Sequence, residues 1–323
     1  VEHLLDIKNL SVEFALRTGN LCAVRDVSLS LDSGERLGLV GESGAGKSVL
    51  GFSIINLISK PGFISGGEVI FKGDDISKYS YEKMRRIRGN RISMIFQDPM
   101  MTLNPVLTVG TQMKETLKAH MKISDKEATE ICIDKLKKVY IPSPEKRLEQ
   151  YPHEFSGGMR QRIVVAISLL TNPNLIIADE PTTALDVTIQ AEIMDLLLEL
   201  CETENMGLIL ITHDLAVVSE VTQRIAVLYA GRVVEIGPTE TIIANPQHPY
   251  TQGLIKALPE CAPGTRLNQI PGMMPSLKDM PDGCPFSPRC EFKSPRCESE
   301  IPPLRETISG GFVACFEREV KRG

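Results

Sequence analysis

No run of about 18 apolar residues occurs in this 323-residue chain, and the longest apolar stretches, such as Ile163–Leu170, are short. The expectation is a chain that does not span a membrane itself. A basic surplus is also missing. Lys and Arg number 36 against 41 Asp and Glu, for a formal net charge of −5, whereas a dedicated nucleic-acid binder ordinarily carries the opposite sign. The opening residues Val1-Glu2-His3-Leu4 lack the basic and then apolar regions of a secretory signal. A reducing compartment is therefore expected, in which the eight cysteines read as thiols or metal ligands before disulfides. No internal repeat of fixed period is evident, which argues against a solenoid or a propeller. What is present is ordinary globular material, 42% hydrophobic and 24% charged residues. The chain is about twice a ~150-residue domain, so one large domain with an appendage, or two domains, is expected.

Strands and helices alternate along most of the chain. Leu5–Phe14, Val27–Leu31, Arg36–Val40, Arg91–Phe96, Leu175–Ala178 and Leu208–Thr212 read as strands, with hairpins over 66–76 and Ile225–Ile236. Ser48–Ser59, Val109–Met121, Asp125–Val139 (Ser124 as cap), Glu145–Glu149, 157–171, Ile189–Glu204 and Leu215–Val221 read as helices. The pattern predicts an α/β fold with a mainly parallel sheet and a helical insertion over residues 106–150. Composition shifts to Pro, Gly and Cys near 255–260. Two regions are expected, 1–257 and a small extension 258–323.

Gly41-Glu42-Ser43-Gly44-Ala45-Gly46-Lys47-Ser48 matches G-x-x-x-x-G-K-[ST] without a mismatch, between a predicted strand and a predicted helix. Glycines let successive N–H groups converge on one anion, and the helix start adds partial positive charge. Lys47 supplies a point charge for the β- and γ-phosphates, and Ser48 a hydroxyl for Mg²⁺. Val49 follows in the same turn. The apolar strand Leu175–Ala178 ends in Asp179-Glu180. Asp179 suits Mg²⁺, and Glu180 suits a general base that polarises the attacking water. Gln97 and His213 each end a strand, on the carboxyl edge where such folds bind ligands. Gln97 suits contact with metal and water.

Phe155-Ser156-Gly157-Gly158-Met159-Arg160-Gln161-Arg162 decides between families of phosphate-loop proteins. It resembles the L-S-G-G-Q signature of ATP-binding-cassette (ABC) ATPases, with Phe155 and Met159 as departures. A Ser-Gly-Gly that opens a helix is a second anion-binding terminus. Thr183-Ala184-Leu185-Asp186 resembles the family's D-loop, Gln97 its Q-loop and His213 its switch histidine. The resemblance covers residues 4–255. It implies a P-loop NTPase of the ABC ATPase type, with a mainly parallel core, an antiparallel β subdomain and an α-helical subdomain at about 98–165. It implies ATP and Mg²⁺ as ligands. Phe14 is the candidate adenine-stacking residue, with a strand-core role as the alternative. Ser156, Gly157, Gly158, Met159 and Asp186 are candidates to meet the nucleotide held by a partner subunit. Residues 95–100, 151–162 and His248-Pro249-Tyr250-Thr251 narrow the resemblance to ATPase subunits of bacterial dipeptide/oligopeptide importers. That subfamily implies a second ATPase subunit (a heterodimer, or a homodimer), two membrane permease subunits docked on the helical insertion, an extracytoplasmic peptide-binding protein, and a peripheral place on the cytoplasmic membrane face.

Cys284, Cys290, Cys297 and Cys315 lie within 32 residues that include five prolines. So short a segment rarely folds without a staple. Four thiolates fit an iron–sulfur cluster or a structural zinc, with disulfides or free thiols as the remaining options. The subfamily resemblance implies a [4Fe–4S] cluster. Cys22, Cys132, Cys201 and Cys261 read as small core residues. The basic cluster Lys83–Arg91 reads as a solvated face. The tail from 260 onward holds nine basic and nine acidic residues and offers no strip for DNA. The leading function is the ATPase motor of a peptide importer. Two alternatives are a soluble cassette ATPase acting on nucleic acid or ribosomes, and an importer for nickel or another small solute. A small-molecule kinase leaves Ser156–Met159 without a role.

Overall fold

A computed structural model describes residues 3–98, 102–183, 185–258 and 270–318. By packing, the chain forms two units, residues 1–78 with 210–323 and residues 79–209. Cys261 lies outside the described residues, as do positions 99–101 and Ala184 of the motifs above.

In the first unit, β1 (Leu5–Leu16) and β2 (Gly19–Leu31) form one long antiparallel hairpin. The sequence suggests separate short strands, because three register shifts, between Ile7 and Glu13 on β1, interrupt the alternation. Asn9 and Asp26 sit at φ 49° and 54°. Asn9 Nδ2 donates to Asp26 Oδ1 (2.8 Å), Asn9 N–H to Ser28 Oγ (2.9 Å) and Asp26 N–H to Ser11 Oγ (3.0 Å), so side chains satisfy groups that the ladder leaves over. β3 (Arg36–Val40) is buried apart from its first residue and feeds the glycine loop. α1 (Lys47–Ile54) is shorter than expected. Asn56, at φ 50°, takes the left-handed conformation that ends helices. β4 (Gly62–Phe71) pairs with β1, and β5 (Asp74–Asp75) with β4, closing an antiparallel sheet in the order β2-β1-β4-β5.

The second unit starts with α2 (Tyr81–Ile87), which carries Lys83, Arg85 and Arg86 of the basic cluster, and β6 (Ile92–Ile95). The expected helical insertion is α3 (Val109–His120), α4 (Asp125–Lys138) and α5 (Pro144–Arg147). Met113, Leu117, Cys132 and Leu136 are buried there. α6 (Gly157–Ser168) leads to β7 (Leu175–Asp179), every residue of which is buried. β7 lies parallel to β6, the setting in which a strand reads as a continuous apolar run. α7 (Val187–Glu204) ends at Asn205, φ 50°. Cys201 is buried on it.

Within β8 (Gly207–Thr212) the chain passes back to the first unit. α8 (Leu215–Val221), β9 (Arg224–Tyr229), β10 (Arg232–Pro238), α9 (Thr239–Ala244) and α10 (Pro249–Lys256) follow. β3 runs parallel to β9, which is antiparallel to β10. The tail adds α11 (Pro295–Ser299), β11 (Arg305–Glu306) and β12 (Phe312–Val313). β12 pairs with β10 at Glu235↔Val313, and β11 pairs with β12. Residues 305–313 thus add two short strands to β10. The signal was too short to read, because each of these strands is two residues long. Among the described residues no helix is long and apolar enough to cross a membrane.

Candidate functional site

The first unit holds the glycine loop. Gly41 has φ 154°, and a Cβ there would stand 2.3 Å from Leu228 O; at Gly46 (φ 97°) it would stand 2.7 Å from Ala23 O. Only glycine fits either place. Gly231 N–H donates to Ala45 O (2.9 Å), so the β9–β10 turn braces the loop. Gly46 is the N-cap of α1, which puts the first helical N–H groups beside Lys47 and Ser48. Lys47 is buried, and its Nζ donates to Gly41 O (2.7 Å) and Glu42 O (3.0 Å). Ser43 and Gly44 are exposed; Glu42, Ser48 and Val49 are half-buried; Ala45 is buried. Phe14 is half-buried on β1, with its ring against Gly62. His213 is exposed just past β8, while Asp214 beside it caps α8 through Ala216 N–H (2.9 Å).

The second unit brings two predicted residues into contact. Asp179, 3% exposed, ends β7. Glu180 follows at φ 45°, a strained conformation for a residue with a Cβ. Its Oε2 accepts from Gln97 Nε2 (3.0 Å) and from Thr183 Oγ1 (3.0 Å). The amide holds the carboxylate in one orientation. Ser156 caps α6, with Oγ accepting from Met159 N–H (3.4 Å). Gly157 faces Leu185, and a Cβ on Gly158 would lie 2.8 Å from Ile189 Cγ2. Phe155 is 4% exposed, so the departure from Leu keeps a buried apolar side chain. Asp186 caps α7, its Oδ1 accepting from Ile189 N–H (3.1 Å). The signature segment and the residues after Glu180 are thus fixed against each other.

In the tail, Cys284, Cys290, Cys297 and Cys315 all line one small cavity, with Phe286 and Phe292 among its walls. Cys290 is half-buried and the other three are buried, and all four are free thiols. Burial pushes Cys284 up to about 11 and also raises Cys290 and Cys315, and charge on neighbouring thiols adds to the rise. A bound cation would be needed to hold them as thiolates at neutral pH. Among the described residues no three His, Cys, Asp or Glu side chains come together to hold a metal ion. The expected iron–sulfur cluster and its zinc alternative are therefore both without support here: the four thiols line one cavity but form no metal-holding group.

Sequence reasoning missed several residues that shape the loop. Tyr250 Oη accepts from Glu42 N–H (2.8 Å). His248, fully buried, caps α10 and accepts from Tyr250 N–H (3.1 Å). Burial and the nearby Arg318 charge push His248 down to about 3. Arg289 grips Glu42. The His248–Thr251 motif was visible as a string, but nothing in its spacing pointed to the loop 200 residues earlier.

Comparison with known proteins bears directly on these arrangements. Residues 24–183 match the model of the ABC transporter family, and residues 234–297 match that of the oligopeptide/dipeptide transporter C-terminal region. The dipeptide transport ATP-binding protein DppD of Escherichia coli is 47% identical over 313 residues, 97% of this chain and 96% of that protein. The chain belongs to the ABC transporter ATPases of the oligopeptide/dipeptide branch. The oligopeptide transport ATP-binding protein OppD of Escherichia coli is likewise 47% identical, over 97% of this ABC ATPase and 93% of its own length. Among solved structures, the dimeric post-hydrolysis state of the ATP-binding cassette MJ0796 bound to ADP and Pi aligns at 27% identity, with a TM-score of 0.65. The alignment covers 73% of this ATPase and 98% of the other chain. The cassette fold expected from the motifs is therefore established.

Proposed function

We propose that this ABC ATPase is the motor subunit of an importer for dipeptides or oligopeptides, held at the cytoplasmic membrane face by two permease subunits and supplied by an extracytoplasmic peptide-binding protein. The observation that carries the reading is the pairing of a cassette match with a match to the oligopeptide/dipeptide C-terminal region in one chain. The relatives' names point to peptide cargo. Nickel or another small solute is the alternative cargo. The −5 net charge speaks against a role on nucleic acid or ribosomes.

In the proposed cycle the glycine loop wraps the triphosphate, with Lys47 on the β- and γ-phosphates and Phe14 against the adenine. Ser48, Gln97 and Asp179 are the proposed holders of Mg²⁺, which offsets charge on the phosphates when bound. Glu180 accepts the proton of the attacking water, oriented by its bond from Gln97, and His213 contacts the γ-phosphate. Ser156–Met159 and Asp186 serve the nucleotide of a second ATPase subunit, a sister chain or another copy. Residues 1–257 form the cassette in this reading, and 258–323 a C-terminal extension. Its four cysteines are the residues that would hold a [4Fe–4S] cluster, which would staple this short segment.

Glu180→Gln is the direct test. It preserves shape and hydrogen bonding and removes the base, so turnover should fall roughly 10²–10⁴-fold with ATP binding retained. Unchanged turnover removes Glu180 from this role. For cargo, cells with and without the chain are offered labelled dipeptides, longer peptides and nickel; accumulation of nickel alone would replace the peptide reading. Iron and sulfide analysis after anaerobic purification tests the cluster, and a colourless protein with neither element rejects it.

A further inference from the structure

The glycine loop contains a carboxylate in an unfavourable place. Glu42 is the second residue of a loop built to receive a highly anionic triphosphate, and like charges repel strongly where water is partly excluded. The structure neutralises it from the C-terminal extension. Arg289 Nη1 donates to Glu42 Oε2 (2.8 Å) and Nη2 to Glu42 Oε1 (3.0 Å), a two-pronged pair. The Arg289 side chain is 4% exposed and that of Glu42 31%. The other guanidinium donors are also used: Nε on Pro271 O (2.9 Å), Nη2 on Ile270 O (3.3 Å) and Nη1 on Tyr229 Oη (3.4 Å).

The mount of this arginine is the cysteine module. Arg289 lies in the short turn Ser287–Arg289, immediately before Cys290. The turn is pinned by Ser287 N–H to Cys284 O (2.9 Å) and Arg289 N–H to Phe286 O (3.0 Å), while Cys284 N–H donates to Cys297 O (2.8 Å). Met274, ahead of the module, also approaches the loop, since a Cβ on Gly44 would stand 3.2 Å from Met274 Cε.

We infer that Arg289 is a positioning residue for nucleotide binding: it cancels the charge of Glu42 and holds that side chain aside, so that the C-terminal extension sets how tightly the loop takes ATP. The inference rests on the reading of residues 41–48 as the ATP site.

The test measures equilibrium binding of Mg-ATP to the full chain by calorimetry. Arg289→Ala leaves Glu42 unpaired and should weaken binding about tenfold or more, an effect that shrinks as salt rises. Arg289→Lys, which keeps the charge and loses the two-pronged grip, should recover part of the loss. The double variant Glu42→Gln with Arg289→Ala should return to within about threefold of the original affinity, because the repelling charge is gone. A double variant as weak as Arg289→Ala would make the arginine a mere brace and overturn the inference. So would unchanged binding in Arg289→Ala. Should Arg289→Ala fail to fold, Glu42→Gln alone decides: affinity equal or higher supports charge cancellation, and a loss comparable with that expected for Arg289→Ala refutes it. Lys47→Ala separates the two readings. It should abolish binding, and if it binds normally the ATP-site reading itself fails, whatever Arg289 does.

Discussion

Gly158 shows how little room a single position in the signature segment has. A methyl group there would stand 2.8 Å from Ile189 Cγ2, on the helix that Asp186 caps. Overpacking of this kind costs roughly 1–3 kcal/mol. Gly158→Ala should lower stability by that amount in urea unfolding, and adding Ile189→Ala should recover much of it. Equal stability of Gly158→Ala and the parent would show that α7 yields freely. His248 sets a pH dependence at the same scale. Its ordinary value of 6.5 is pushed down to about 3, so below pH 6.5 the unfolded chain binds a proton that the folded chain refuses. Stability is complete above 6.5 and falls with acidification, by about 2 kcal/mol at pH 5 for this group alone. Buried Glu235 accepts from His248 N–H (2.9 Å) and is shifted upward by burial. Its contribution has the opposite slope, being lost as pH rises. His248→Asn isolates the histidine. The parent should lose more stability than the variant between pH 7 and 5, and parallel pH curves would refute the assignment.

The longer helices were legible, whereas α2, α9, α10 and α11 were not read as helices. Ser124 was expected to cap a helix, and it forms a full capping box: its Oγ accepts from Glu127 N–H (3.3 Å) and Glu127 Oε2 from Ser124 N–H (2.8 Å). Ser124→Ala should cost about 1 kcal/mol in thermal or urea unfolding, and a loss below about 0.3 kcal/mol would mean that α4 is held by packing alone. Buried strands such as β3 and β7 were visible because a parallel core strand is an apolar run. The bulged hairpin and the two-residue strands β11 and β12 were not, because they depend on side-chain hydrogen bonds or on pairing with distant residues; nor was the early end of α1, which a single left-handed residue, Asn56, sets. The same divide runs through the site. The glycine loop, Asp179-Glu180 and Ser156-Gly157-Gly158 carry their chemistry in contiguous residues. The Glu42–Arg289 pair and the Tyr250 contact to Glu42 join positions more than 200 residues apart, and no local pattern encodes them.

At the scale of the whole molecule, one chain carries one glycine loop and one Ser-Gly-Gly helix start. In the proposed cycle these serve different nucleotides, so catalysis requires two subunits. A closed state stabilised by contacts to the γ-phosphate is then a population shift toward the dimer when ATP is bound. The prediction is kinetic. Turnover per chain should climb with chain concentration in the dilute range, or stay near zero until a sister ATPase is added. Glu180→Gln should accumulate as an ATP-dependent dimer, because binding continues while cleavage is blocked. Size-exclusion chromatography with and without Mg-ATP reads the second outcome, and a dilution series of ATPase activity reads the first. Concentration-independent turnover by a species that stays monomeric with ATP would show that a single subunit completes its own site, and Ser156–Met159 would then need another role.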